Sequence, residues 1–208
     1  MEKNIYNDTA TQDQIITWVK DEFNKLNPPK EVKLIIANDN LIKERNRLFL
    51  YRFKKRYYYQ VVNKLPKFLR WRWLLSFIYA IAETQCLQFK ETILAESLNQ
   101  ETDFEDSIIV YPHRFNYTID SIPDRTKSYE EMVREVIRHE VRHSFQTEEM
   151  RLVGINPSVA FSFEAMNFAY GKGPLESDAI NSQKGENNVS VNNIIKELKE
   201  QMKKKGWL

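Results

Sequence analysis

Hydrophobic positions along this chain change period several times, and each change marks an element. Thr11 to Leu26 predicts an amphipathic helix that Asn27-Pro28-Pro29 stops. Glu31 to Ala37 (EVKLIIA) reads as a strand closed by Asn38-Asp39-Asn40. A charged, aromatic-rich stretch precedes a helix predicted over Pro66 to Gln88, and Glu91 to Leu98 fits either a strand or a continued helix. Ser107 to Tyr111 (SIIVY) is rich in β-branched residues, and Phe115 to Ile119 (FNYTI) alternates, so a hairpin across Pro112-His113-Arg114 is expected. Ser158 to Tyr170 reads as an apolar helix, Gln183 to Val189 as a polar, Asn-rich linker, and Val191 to Lys205 as a terminal helix with a basic end. No internal repeat is visible. The simplest organisation is one α+β domain over residues 1–183, with residues 184–208 as linker and C-terminal helix.

The strongest helix lies between these regions. Ser128-Tyr129-Glu130-Glu131 has the form of a capping box, with Ser128 at the N-cap and Glu131 at N3. No Gly or Pro follows until Gly154 and Pro157. Met132, Val136, His139, His143 and Gln146 form one stripe, with Val133, Ile137 and Ser144 beside it.

On this helix sits His139-Glu140-Val141-Arg142-His143, which reads HExxH and holds two of the three histidines in the chain. Residues four apart stack on one helix face, so both imidazoles can reach a single ion. Glu140 projects about 100° round the axis from His139, beside the ion rather than on it. Two neutral nitrogen ligands with an adjacent carboxylate suit zinc and a water whose pKa zinc lowers to about 7. The plain alternative is a hydrogen-bonded histidine pair among surface charges.

The segment from Ser128 to Arg151 resembles the active-site helix of the zincin superfamily of zinc metallopeptidases. The resemblance implies a small zincin-like α+β domain, Zn²⁺ as cofactor and a peptide or protein substrate. Glu140 would then take a proton from a zinc-bound water and pass it to the leaving amine. Zincins differ in their third ligand. In the metzincin pattern HExxHxxGxxH, the glycine position holds Gln146 and the last histidine position Glu149. Without the glycine the helix continues and carries Glu149 away from the metal. The gluzincin pattern, with a Glu on a second helix, fits better. Gly173-Pro174 ends a loop, Pro174 suits a first helical position, and Leu175 to Gln183 follows as a short helix with Glu176 in its first turn. Glu176 is the expected third ligand. Asp178 is its rival, as a ligand or as a hydrogen-bond partner of a ligand histidine. Residues two apart face different ways, so the two are not both ligands. The resemblance also implies that Ser107 to Ile119 forms the sheet edge that pairs with an extended substrate. His113, Tyr117 and Tyr170 are candidate substrate or oxyanion contacts.

Charge adds a second feature. Lys43 to Trp73 carries eleven Lys and Arg residues against one acid, Glu44, in a chain whose net charge is only +2. Nine aromatics are interleaved, from Phe49 to Trp73. This composition suits nucleic acid or an anionic membrane surface, but it reads more simply as scaffold, with buried aromatics and charges paired to the acidic remainder. Two readings other than a peptidase therefore stay open: a zincin-fold nucleic-acid-binding or regulatory protein, and a structural or phage-associated protein with a relict metal site. A single cysteine, Cys86, fits a reducing compartment. The opening residues lack an apolar signal core, and no apolar run approaches the about 20 residues that span a bilayer. A cytoplasmic protein is expected, with leaderless secretion or phage carriage equally compatible.

Overall fold

The computed structural model describes residues 10–38, 40–41, 94–98, 106–120, 127–169, 171–185 and 189–208. The chain divides into two compact units, Met1–Ile36 with Leu94–Leu208, and Ala37–Ile93. The expected helix Pro66–Gln88 and the basic aromatic segment Lys43–Trp73 lie outside the described residues. All the helices and strands named in the next paragraphs belong to the first unit.

Helix α1 (Gln12–Leu26) starts at a complete capping box. Thr11 Oγ1 accepts from the Gln14 N–H, and Gln14 Oε1 accepts from the Thr11 N–H. It ends at Asn27 in the left-handed region, a conformation that asparagine tolerates. Ile15, Val19 and Glu22 recur at helical spacing on its buried face. Strands β1 (Lys33–Ile36), β2 (Ala95–Leu98) and β3 (Ser107–Val110) form a sheet in the order β1-β3-β2, with β1 parallel and β2 antiparallel to β3. Every residue of β3 is buried, Ser107 as well as the apolar Ile108, Ile109 and Val110, as suits a central strand.

Two expectations about this region are corrected. Residues 115–119 form no hairpin strand; they belong to helix α2 (Pro112–Asp120). Phe115 and Ile119, which looked like alternating strand positions, are also four apart, and both are buried on one helix face. Pro112 opens the helix, where its fixed φ is already helical. Nor can Ser107–Ile119 serve as a sheet edge, because β3 is flanked on both sides. Glu91–Leu98 resolves as strand at Ala95–Leu98.

Helix α3 (Tyr129–Leu152) is the axis of the unit. Ser128 Oγ caps the Glu131 N–H at 3.2 Å. The Glu131 carboxylate instead accepts from Arg138 Nη1 at 2.8 Å. At the other end Ile155 N–H bonds Met150 O and Gly154 N–H bonds Arg151 O, a Schellman stop that needs positive φ at Gly154. Helices α4 (Pro157–Asn167), α5 (Pro174–Gln183) and α6 (Val191–Lys204) follow.

Two apolar clusters flank α3. One joins Ile15 and Val19 of α1, Ile108 and Val110 of β3, Phe115 of α2, and Val133, Ile137 and Val141 of α3. The other joins Met150 to Ala160 and Phe163 of α4, Leu175 of α5, and Ile195, Leu198 and Met202 of α6. Between Val141 and Met150, α3 buries polar residues instead: His143, Ser144, Gln146 and Thr147. Buried polar groups must find partners, and this stretch carries the site. Among the described residues no helix is long and apolar enough to cross a membrane.

Candidate metal centre

The HExxH histidines project from the middle of α3, one turn apart, with Nε2 atoms 3.1 Å from each other. Glu176, in the first turn of α5, brings Oε1 to 3.5 Å from His143 Nε2 and Oε2 to 3.6 Å from His139 Nε2. Ligands about 2.0–2.1 Å from a tetrahedral zinc ion lie about 3.3 Å from one another. The two Glu176 distances belong to different oxygens; taking one donor atom from each residue, the three lie within 4.8 Å of one another. His139 Nδ1 and Glu176 Oε2 are buried with no hydrogen-bond partner among the described residues. His139, His143 and Glu176 are brought together, a set able to hold a metal ion.

The ring of His143 is fixed from behind. Its Nδ1 lies 2.8 Å from Gln146 Oε1. Gln146 Nε2 donates to Asp178 Oδ2 at 2.7 Å and to the Leu175 carbonyl at 3.0 Å. Both partners only accept, which settles which end of the amide is nitrogen. Gln146 Oε1 must then accept from His143 Nδ1–H, and Nε2 is the atom turned to the cluster. Phe161 packs against the same ring in a T-shaped pair, with centroids 5.5 Å apart.

Asp178 sits behind this amide rather than in the cluster. Arg142 grips it with Nε at 2.7 Å and Nη2 at 2.9 Å. It reaches His143 only through Gln146. His113 is exposed in the first turn of α2, its ring edge-on to Tyr111, and is not among the clustered groups. Tyr170 and the Tyr117 side chain lie outside the described residues.

Glu140 takes a hydrogen bond from the Ser97 N–H of β2. Burial pushes its carboxyl up to about 7; the charges of Glu176 and Glu96 add to this, and His143 and the Ser97 bond oppose it. That is the range in which a carboxyl exchanges protons at neutral pH. Burial lowers the His139 imidazole, and the charge of His143 lowers it further. Burial would also lower His143, but the Glu176 hydrogen bond and the charges of Glu140 and Glu176 outweigh it and raise the ring to about 9. Glu176 stays ionised: burial opposes this, and the His143 hydrogen bond and charge prevail. The protonated form of His143 is thus favoured by the Glu176 carboxylate beside it.

No family model, curated protein or solved structure matches this chain. Sequence reading did not find Gln146 as the holder of His143, Ser97 as the partner of Glu140, or Glu164 of α4 as an acceptor for the first turn of α5. Only Gln146 left a signal, as the next residue on the histidine stripe.

Proposed function

We propose that this chain is a zinc-dependent metallopeptidase, zincin-like and of gluzincin type. His139, His143 and Glu176 are the metal ligands and Glu140 the general base. The observation that carries the reading is the convergence of two imidazoles and one carboxylate, with donor atoms within 4.8 Å of one another, beside a carboxyl whose pKa burial pushes up to about 7. Two neutral nitrogens and one carboxylate form a donor set that zinc hydrolases use, with one position left for water or substrate. When bound, zinc would act as a Lewis acid on the scissile carbonyl and would acidify a water to about 7.

The chain's own groups do the rest. Glu140 takes the proton of the attacking water and returns it to the leaving amine as the C–N bond breaks. The Ser97 N–H aims that carboxyl. Ser144 lies one turn beyond Glu140 on α3, and there a cavity of about 700 Å³ begins, lined by Ser97, Ser144, Phe145, Thr147 and Arg151 among others. None of His139, Glu140, His143 and Glu176 lines it; Ser97, the hydrogen-bond partner of Glu140, does. The mixed α and β architecture, with a small sheet against a long buried helix, is compatible with a small zincin-like domain.

The deciding experiment compares wild type with Glu140→Gln. Zinc content stays at one per chain, and hydrolysis of a quenched fluorescent peptide library falls about 10²-fold or more. Full activity in Glu140→Gln would overturn the mechanism.

A further inference from the structure

We propose that Glu164 is a positioning residue for the third ligand: its carboxylate caps α5 from outside that helix and sets where Glu176 stands. The inference rests on the proposed metal centre.

The first turn of any helix leaves N–H groups without partners, and a side chain at the N-cap ordinarily supplies one. The N-cap of α5 is Gly173, which has no side chain to offer. The acceptor comes instead from α4. Glu164 is 5% exposed, and its Oε1 accepts from the Leu175 N–H at 2.9 Å and the Glu176 N–H at 3.1 Å. One of the two amides it holds belongs to the ligand residue itself. A carboxylate at this end also complements the helix dipole.

Gly173 makes the arrangement possible. Its φ of −76° would suit any residue, so conformational freedom is not the reason for glycine. Space is. A Cβ at this position would lie 1.9 Å from Glu164 Oε1 and 2.4 Å from its Cγ and Cδ. The second oxygen, Oε2, is buried with no hydrogen-bond partner among the described residues, and burying a carboxyl this way is costly. A helix that needed only a stable start could use Ser or Asp at position 173. The buried carboxylate ties the first turn of α5 to α4, behind the metal cluster. Metal–ligand distances tolerate only about 0.2 Å, so a loosened first turn weakens the site.

The test uses the full chain as wild type, Glu164→Ala, Glu164→Gln, Gly173→Ala and the double variant Glu164→Ala/Gly173→Ala. Two quantities are measured: amide hydrogen exchange at Leu175 and Glu176 without metal, and zinc affinity by chelator competition. Glu164→Ala should lose protection at both amides and bind zinc about 10–100-fold more weakly, with an unchanged circular dichroism spectrum. Glu164→Gln keeps the Oε1 acceptor and should restore most of the affinity. Gly173→Ala displaces the carboxylate, should weaken zinc similarly, and should add little in the Glu164→Ala background. Lost protection with wild-type zinc affinity makes the cap merely structural and overturns the proposal, as does unchanged protection. If Glu164→Ala does not fold, a folded Gly173→Ala with wild-type affinity overturns it equally. A wild type with protected amides and no zinc affinity instead fails the metal-centre reading, and this inference with it.

Discussion

Arg142 holds Asp178 with two hydrogen bonds of 2.7 and 2.9 Å and thereby joins the HExxH helix to the helix that carries Glu176. Asp178 is 5% exposed and also anchors Gln146, so one carboxylate braces both the helix pair and the His143 ring. Truncating one partner of a buried pair leaves the other uncompensated, which costs about 3 kcal/mol. Asp178→Ala should therefore destabilise the protein and weaken zinc while still binding one ion at saturation. Loss of stoichiometric zinc, as expected for His139→Ala, would instead make Asp178 a ligand.

Gln146→Leu removes the histidine contact, together with the amide's bonds to Asp178 and the Leu175 carbonyl. Leucine fills similar space but cannot accept from His143 Nδ1–H, so the ring loses the bond that fixes its orientation. Zinc affinity should fall about 10–100-fold, as for other groups that orient metal ligands. Chelator competition measures it, and an unchanged affinity would show that packing by Phe161 alone holds the ring.

How much of the fold was legible depends on how local each signal is. Ser128, Gly154 and Pro174 act on neighbours a few positions away, so α3 and α5 could be bounded from sequence. The HExxH spacing and a following Glu in a first turn are also local, and they pointed to the three residues that the fold brings together. The α2 segment was misread because Phe115 and Ile119 satisfy a period of two and a period of four at once; burial on a helix face decided it. Ser97 and Glu164 had no local signature, and Gly173 was marked only as the end of a loop before Pro174. Their roles arise when β2 meets α3 and when α4 meets α5, and each contact involves one backbone group that sequence pattern does not mark.

Metal should stabilise the fold across α3 and α5. A ligand that binds only the folded state adds about 2.7 kcal/mol at a hundredfold excess over its Kd. Zinc should raise the melting temperature of wild type, and a strong chelator should reverse the gain. Glu176→Ala should abolish the shift, because it removes the only cluster donor supplied by α5. A zinc-induced shift of equal size in Glu176→Ala would place the ion elsewhere.

Acid stability should turn on Glu22. This carboxylate is 1% exposed on α1, and it accepts from Arg138 Nε at 2.7 Å and from Arg134 Nη1 at 3.1 Å on α3. Burial alone would raise its pKa above the ordinary 4.5, but the hydrogen bonds and charge of Arg138, then Arg134, outweigh burial and lower it. A depressed folded-state pKa gives stability that is fully present above the unfolded value and is lost as pH falls through the folded one. Glu22→Gln removes the charge and should cost about 2 kcal/mol at pH 7, the scale of a hydrogen bond to a charged group. Arg134 and Arg138 retain Glu130 and Glu131, which limits the loss. The gap between wild type and variant in urea midpoint should hold above the ordinary carboxylate pKa and shrink progressively below it. A gap that stays constant down to strongly acidic pH would show that shape, not charge, makes Glu22 the link between α1 and α3.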